Sequence, residues 1–193
     1  MLLSYKHQFV FVHIPKTAGM SVHRALAKAA PDAIRRIDDM PAFSDPEKQR
    51  HVPAKDLRDY VGEANWIRLF SFAFVRNPFA RLVSWYNMCH ERPSNKFMWF
   101  VKENLTFHDS IVNDSDILHR TRINQIDYVT DGNGVSIVNF VGRYEQLEHD
   151  FNDISKKLGF STFLPHINTT KRVDYRTYYD NDRLGRNAAL LVD

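Results

Sequence analysis

The first strong pattern in the chain is a short apolar run followed by helical periodicity. Phe9–Val12 is entirely apolar and bounded by polar sequence, which is typical of a strand buried on both faces. Beyond Met20, and as far as Pro31, apolar residues recur with the spacing of one helix face, at Val22, Ala25, Leu26 and Ala29. The pattern predicts a central strand, a turn and an amphipathic helix.

A second unit of the same kind lies further along the chain. Trp66–Val75 is apolar and aromatic, and its phenylalanines at 70, 72 and 74 alternate with smaller residues, as in a core strand. The strand is expected to stop at residues 76–78, and the helix that follows has an apolar face made by Phe79, Leu82, Val83 and Tyr86. Two such units predict an α/β fold with a parallel sheet and a ligand crevice along the carboxyl edge of its strands.

Weaker patterns predict further elements. Pro53 suits the first turn of a short helix that runs to about Tyr60. Val135–Val141 is predicted to be a strand, and Glu145–Leu158 has the periodicity of an amphipathic helix. Residues 31–50 are polar, and their prolines favour loops.

Composition limits the classes of protein to which the chain can belong. Its 193 residues and 44% hydrophobic content fit one domain, so we expect residues 1–193 to form a single domain. The net charge of +3 suits anionic ligands, but it does not indicate a nucleic-acid binder. One cysteine excludes an internal disulfide framework and any metal site built from several cysteines.

The sequence also bears on location. It has no apolar stretch approaching the roughly 20 residues of a membrane span, so we expect no transmembrane segment and a cytoplasmic protein. A membrane-anchored parent trimmed to its soluble domain would show the same features. The oligomeric state is left open.

The segment between the first strand and its helix has the residue types of an anion site. It ends the strand and opens the helix, so unpaired backbone N–H groups and the positive end of the helix dipole meet there. Lys16 adds a positive charge, and the hydroxyls of Thr17 and Ser21 add donors. We interpret the segment as a cradle for a phosphate or sulfate, made by Pro15, Lys16, Thr17, Ala18, Gly19, Met20 and Ser21.

Arg76 and Ser84 form a second candidate anion site. Arg76 follows the second strand and Ser84 lies nearly two helical turns further on, so a guanidinium and a hydroxyl could hold one phosphate from two sides. Taken alone, these residues are explained more simply as a sheet-edge arginine and a packed serine. Together with the first loop, they match a nucleotide that carries phosphates at two separated positions.

Both segments resemble the sulfotransferases that use 3′-phosphoadenosine 5′-phosphosulfate (PAPS), and within them the carbohydrate, or type 2, branch. Residues 13–21 (HIPKTAGMS) are similar to the family's 5′-phosphosulfate loop, and residues 74–86 (FVRNPFARLVSWY) to its 3′-phosphate element. Residues 140–145 (FVGRYE) and 164–171 (LPHINTTK) support the resemblance. It implies a P-loop-like, three-layer α/β fold with a central parallel sheet flanked by helices.

The resemblance implies transfer of a sulfonyl group from PAPS to a hydroxyl, with a carbohydrate as the expected acceptor. Lys16 would contact the bridging and sulfonyl oxygens and stabilise the charge that builds on the leaving phosphate. The backbone N–H groups of Thr17 to Ser21, with the side chains of Thr17 and Ser21, would hold the 5′-phosphate, and Arg76 and Ser84 would bind the 3′-phosphate. Lys171 matches a position that closes over the nucleotide in relatives.

The reaction also needs a base. The acceptor hydroxyl must lose a proton, and histidine, with an ordinary pKa of about 6.5, is suited to take it near neutral pH. His51 lies between the two motifs, where the resemblance places the catalytic base of this branch. His13, at the end of the first strand, is expected to support the loop through a hydrogen bond.

We expect no metal. No pair among the nine histidines has a convincing metal-ligand spacing with an acidic partner. A transferring sulfonyl group also carries less negative charge than a phosphoryl group, so a lysine and backbone donors can suffice.

Two other functions stay open on this sequence. One is a non-catalytic module that binds a nucleotide or a glycan on the same fold. The other is a small nucleotide kinase, which is disfavoured because its Gly-x-x-x-x-Gly-Lys-Ser/Thr loop is absent and Lys16 precedes Gly19. Arg35, Arg36, Lys48 and Arg50 would suit an acidic saccharide, and a solvated surface explains them equally well.

Overall fold

The computed structural model describes most of the predicted elements. The residues that it describes are 1–35, 50–91, 107, 124–165 and 174–179, without the side chains of residues 89–91. Most of the predicted loop at residues 31–50 and the predicted nucleotide ligand Lys171 lie outside the described residues.

The chain divides into two compact units. The first comprises Met1–Val75 and Gln125–Thr169. The second comprises Arg76–Asn124 and Thr170–Asp193.

The first unit contains a four-stranded, mostly parallel sheet. Its strands are, in spatial order, β1 (Leu2–Ser4), β2 (Phe9–Val12), β3 (Phe70–Val75) and β4 (Phe140–Arg143). Strands β2, β3 and β4 run parallel, whereas β1 is antiparallel to β2. The predicted central strand Phe9–Val12 is confirmed, and all four of its residues are buried. The antiparallel strand β1 was not predicted.

Five α-helices accompany the strands in the described parts of the chain. They are α1 (Gly19–Ala29), α2 (Ala54–Val61), α3 (Glu63–Trp66), α4 (Pro78–Glu91) and α5 (Leu147–Lys157). The helices predicted after Met20, after Pro53, after residue 78 and after Glu145 are thereby confirmed. Within the described residues, no helix combines the length and the apolar character that a membrane crossing needs.

Side-chain alternation along the strands gives the first unit two apolar layers. Phe11 and Phe72 belong to the layer that also holds the buried faces of α1 and α5. Val10 and Ala73, from the neighbouring strand positions, belong to the other layer, with α2 and Trp66 of α3. Helices therefore cover both faces of the sheet, and the predicted three-layer α/β class is confirmed.

Two predicted strands have wrong boundaries. The strand predicted from Trp66 begins at Phe70, because residues 63–66 form α3. The strand predicted over Val135–Val141 begins only at Phe140. The carboxylate of Asp131 accepts the N–H groups of Asn133 and Val135 and turns the chain, and pairing with β3 starts only after Asn139 bonds to Ser71.

The second unit has an aromatic cluster around α4. Leu82, Val83 and Phe107 are buried in it, and Tyr86 packs against them, as the predicted apolar face requires. A 3₁₀ helix, Tyr175–Tyr178, contributes to the same cluster. The hydroxyl of Tyr179 donates to the carbonyl of Phe79 at 3.0 Å, so the segment at residues 174–179 is held on α4.

Candidate functional site

The loop between β2 and α1 turns sharply at two residues. Lys16 has φ 68° and Ala18 has φ 66°, both in the left-handed region that residues other than glycine seldom adopt. The carbonyl of Ala18 accepts the N–H of Ser21 at 2.9 Å and starts α1. Turns of this kind bring successive N–H groups to one side, where an anion can bind at a helix N-terminus.

The hydroxyl of Thr17 is used inside the loop. Thr17 is fully buried, and its hydroxyl donates to the carbonyl of Ile14 at 2.9 Å. In this structure its proton therefore stabilises the turn. Ser21, in the first turn of α1, is also buried, whereas Lys16 is half-buried and Met20 is exposed.

The ring of His13 lies against the first residue of α1. A methyl group at position 19 would lie 1.9 Å from Cδ2 and Nε2 of His13, so only glycine fits there. The ring also stacks on Phe11, with centroids 5.7 Å apart and planes 18° apart. The ring of His13 thus packs against the start of α1. The hydrogen bond described for His13 joins its carbonyl to His51, so a hydrogen bond from His13 to the loop stays a prediction.

Burial sets the charge of His13. It lowers the pKa of the His13 imidazole well below the ordinary 6.5, and the neighbouring imidazole of His51 acts in the same direction. The ring is therefore uncharged at neutral pH.

His51 lies beside His13. Its Nδ1 is 2.8 Å from the carbonyl oxygen of His13, and the two rings meet edge to face with centroids 4.4 Å apart. Because a carbonyl oxygen only accepts, Nδ1 of His51 carries the hydrogen. The lone pair of the neutral ring is then on Nε2. The structure thus places the predicted base against His13, whose ring in turn packs against Gly19 of the predicted anion loop.

The segment that carries His51 is well anchored. The carbonyl of the preceding residue, Arg50, accepts a hydrogen bond from the amino group of Met1. After His51, Val52 and Ala54 are fully buried, and Pro53 precedes the first turn of α2. The backbone on both sides of His51 is therefore fixed.

Positively charged side chains lie near His23 in the first unit. His23, on α1, is half-buried, and burial lowers its pKa to about 4, with nearby positive charges that include Arg35 and Arg50 acting the same way. Both arginines are exposed. Arg36 and Lys48 lie outside the described residues. Across the described parts of the chain, no group of three or more His, Cys, Asp or Glu side chains could hold a metal ion.

The second unit contains the other two predicted ligands, Arg76 and Ser84, both half-buried. Asn77 lies between them in sequence and caps α4: its Oδ1 accepts the N–H of Ala80 at 3.1 Å. Pro78 occupies the first helical position, where its missing N–H costs nothing. Asn77 was not among the predicted site residues, although the Asn-Pro pair is a helix-start signal that the sequence already contains.

Comparisons with known proteins identify relatives. A family model described as "Sulfotransferase family" matches residues 1–187, and so includes residues of both units. An uncharacterized protein of Archaeoglobus fulgidus is 30% identical over 130 residues, which are 65% of this chain and 98% of that protein. No solved structure matches.

Proposed function

The chain belongs to the sulfotransferase family, and we propose that it moves the sulfonyl group of PAPS to a hydroxyl of a carbohydrate. The observation that carries the proposal is the contact of His51 with His13, whose ring packs against Gly19 of the anion loop. Nδ1 of His51 donates to the carbonyl of His13, so the lone pair of the neutral ring is on Nε2, where a proton can be accepted. The family match over residues 1–187 supports the view that residues 1–193 act as one sulfotransferase domain.

In this proposal the first loop holds the 5′ end of the donor. The backbone N–H groups of residues 17–21, at the N-terminus of α1, bind the 5′-phosphate. Lys16 contacts the oxygen that bridges phosphorus and sulfur. Because negative charge builds on that oxygen as the S–O bond lengthens, a lysine there stabilises the transition state more than the ground state.

We assign the 3′-phosphate of the donor to Arg76 and Ser84. A guanidinium binds phosphate through two parallel hydrogen bonds, and a serine hydroxyl can donate a third. The Asn77 cap supports this assignment because it fixes the first turn of α4, which begins directly after Arg76. Lys171 is proposed to close over the nucleotide, as the sequence resemblance implies.

The chemical step is an in-line displacement at sulfur. The acceptor oxygen forms a bond to sulfur while the bond from sulfur to the 5′-phosphate oxygen breaks. Nε2 of His51 takes the proton of the acceptor hydroxyl, and the products are the sulfated acceptor and adenosine 3′,5′-bisphosphate. The sulfonyl group carries less charge than a phosphoryl group, so the mechanism requires no metal.

A radiolabel assay tests the proposal. The protein is incubated with ³⁵S-labelled PAPS and a panel of glycans and small alcohols, and transfer of label to any of them is the expected result. Titration calorimetry with adenosine 3′,5′-bisphosphate is run beside it. Heat of binding without transfer would favour a non-catalytic binding module, whereas turnover of ATP that depends on Mg²⁺ would favour a kinase. Either outcome would refute the proposal.

A further inference from the structure

We propose that the imidazole of His13 is a positioning residue for His51. Its ring holds the ring of His51 in the orientation in which Nδ1 meets the His13 carbonyl and Nε2 faces away from that bond. The consequence for catalysis rests on the proposed function, but the placement itself does not.

Three contacts fix the ring of His13. Phe11 stacks on one face, and the backbone of Gly19 lies so close that no side chain fits between them. The ring of His51 meets it edge to face at 4.4 Å, and His13 is buried. Because the buried ring of His13 is held in place by these contacts, it provides a rigid surface against which the half-buried ring of His51 packs.

The orientation of His51 decides whether it can act as a base. A neutral imidazole carries one hydrogen, and the hydrogen bond at one nitrogen determines the form of the other. With the bond to the His13 carbonyl, Nε2 holds a lone pair. If the ring of His51 turned away, that bond would be lost and the tautomer with hydrogen on Nε2, which cannot accept a proton there, would be populated.

The charge of His13 is compatible with this role. During turnover His51 gains a proton and becomes positive, and a charged neighbour at 4.4 Å would oppose that step. Because the buried ring of His13 stays neutral, it supports His51 without repelling the proton that His51 must take.

Nuclear magnetic resonance of the 193-residue chain tests the placement without relying on activity. Long-range ¹H–¹⁵N correlation identifies which nitrogen of a histidine ring carries hydrogen, and His51→Ala assigns the His51 signals. We expect hydrogen on Nδ1 of His51 in the wild type and in His13→Phe, which keeps a ring. In His13→Ala we expect both tautomers, and a fall in kcat on the order of 10- to 100-fold with the KM for PAPS little changed. His149→Ala, on an exposed face of α5, is the matched control.

The outcomes separate the two proposals. An unchanged His51 signature and unchanged kcat in a folded His13→Ala protein would overturn the positioning role. Hydrogen on Nε2 of His51 in the wild-type protein would also overturn the positioning role, and this result does not depend on whether His13→Ala folds. The expected spectra without any sulfonyl transfer by the wild type would instead support the placement and refute the proposed function.

Discussion

Gly19 and His13 are in direct contact across the anion loop: a methyl group on Gly19 would lie 1.9 Å from two ring atoms of His13. Glycine is therefore required at position 19, because the ring of His13 leaves no room for a side chain. It opens α1, and the left-handed turns of the loop fall instead on Lys16 and Ala18. The first residue of α1 and the ring of His13 are therefore packed directly against each other.

Gly19→Ala is expected to lower the free energy of unfolding by about 1–3 kcal/mol, because the added methyl must displace a buried ring. Chemical denaturation measures the loss. Gly132→Ala is the matched control, since its methyl would come only within 3.4 Å of the end of the Lys55 side chain. In the double variant His13→Ala/Gly19→Ala the ring is gone, so we expect less destabilisation than the sum of the two single changes. Additive losses would contradict the contact.

Ala18 offers a test of the loop backbone. A residue with a Cβ in the left-handed region costs about 1–2 kcal/mol, and the greater freedom of glycine in the unfolded chain offsets about 0.5–1 kcal/mol of that. Ala18→Gly is therefore expected to leave stability unchanged or to raise it by up to about 1.5 kcal/mol. Ala27→Gly, inside α1, should lower it by about 1 kcal/mol. A loss at position 18 as large as at position 27 would show that Ala18 is not left-handed.

The parallel core of the sheet was predictable because its signals are local. Phe9–Val12 is a complete apolar run, and alternation in Phe70–Val75 assigns the phenylalanines to one face. Strand β1 was not predictable in the same way, since three residues are too few to show a period. Its pairing with Phe11 and its bridge to Ile34 depend on residues distant in sequence.

In the candidate site, too, features with a local sequence signal were predictable, and contacts between residues distant in sequence were not. Residue types and their order indicated the loop at residues 15–21, and the resemblance to the sulfotransferases indicated His51 as the base candidate. The packing of His13 was not readable, because it depends on a ring meeting the backbone of Gly19 and on a hydrogen bond across 38 residues to His51. Spacing along the chain carries no information on such contacts before the fold is known.

The half-buried His23 predicts a loss of stability in mild acid. Its pKa is lowered to about 4 in the folded protein, against an ordinary value of about 6.5 in the unfolded chain. Between these values the unfolded chain binds a proton that the folded protein does not, so the free energy of unfolding falls as the pH falls from about 6.5 to about 4. Buried His13 acts in the same direction.

His23→Gln should reduce that fall, and denaturation at pH 7.5 and pH 4.5, chosen on either side of about pH 6.5, measures it. Arg24→Gln, at an exposed position of the same helix as His23, keeps every histidine and should show the same difference between the two pH values as the wild type. If the free energy of unfolding falls as much in His23→Gln as in the wild type, His23 does not contribute to the loss of stability in acid.

Arg76 tests the assignment of the 3′-phosphate. Lysine keeps the charge but loses the paired donors, so Arg76→Lys is expected to weaken adenosine 3′,5′-bisphosphate binding by about 10- to 100-fold. Binding of adenosine 5′-phosphate, which lacks the second phosphate, should be little affected. Arg68→Lys, at an exposed position, is the control. If calorimetry shows equal losses for both nucleotides, Arg76 does not recognise the 3′-phosphate.

Lys16 and His51 should fail in different ways, because one is proposed to act on the donor and the other on the acceptor. His51→Ala is expected to lower kcat by roughly 10²- to 10⁴-fold while adenosine 3′,5′-bisphosphate still binds. Lys16→Ala should lower both kcat and nucleotide affinity, and alanine is the right replacement because it keeps a Cβ at the left-handed position. Stopped assays with ³⁵S-labelled PAPS and calorimetry measure the two quantities, with His149→Ala as control. A His51→Ala enzyme of normal kcat would exclude His51 as the base, whatever its distance from the loop.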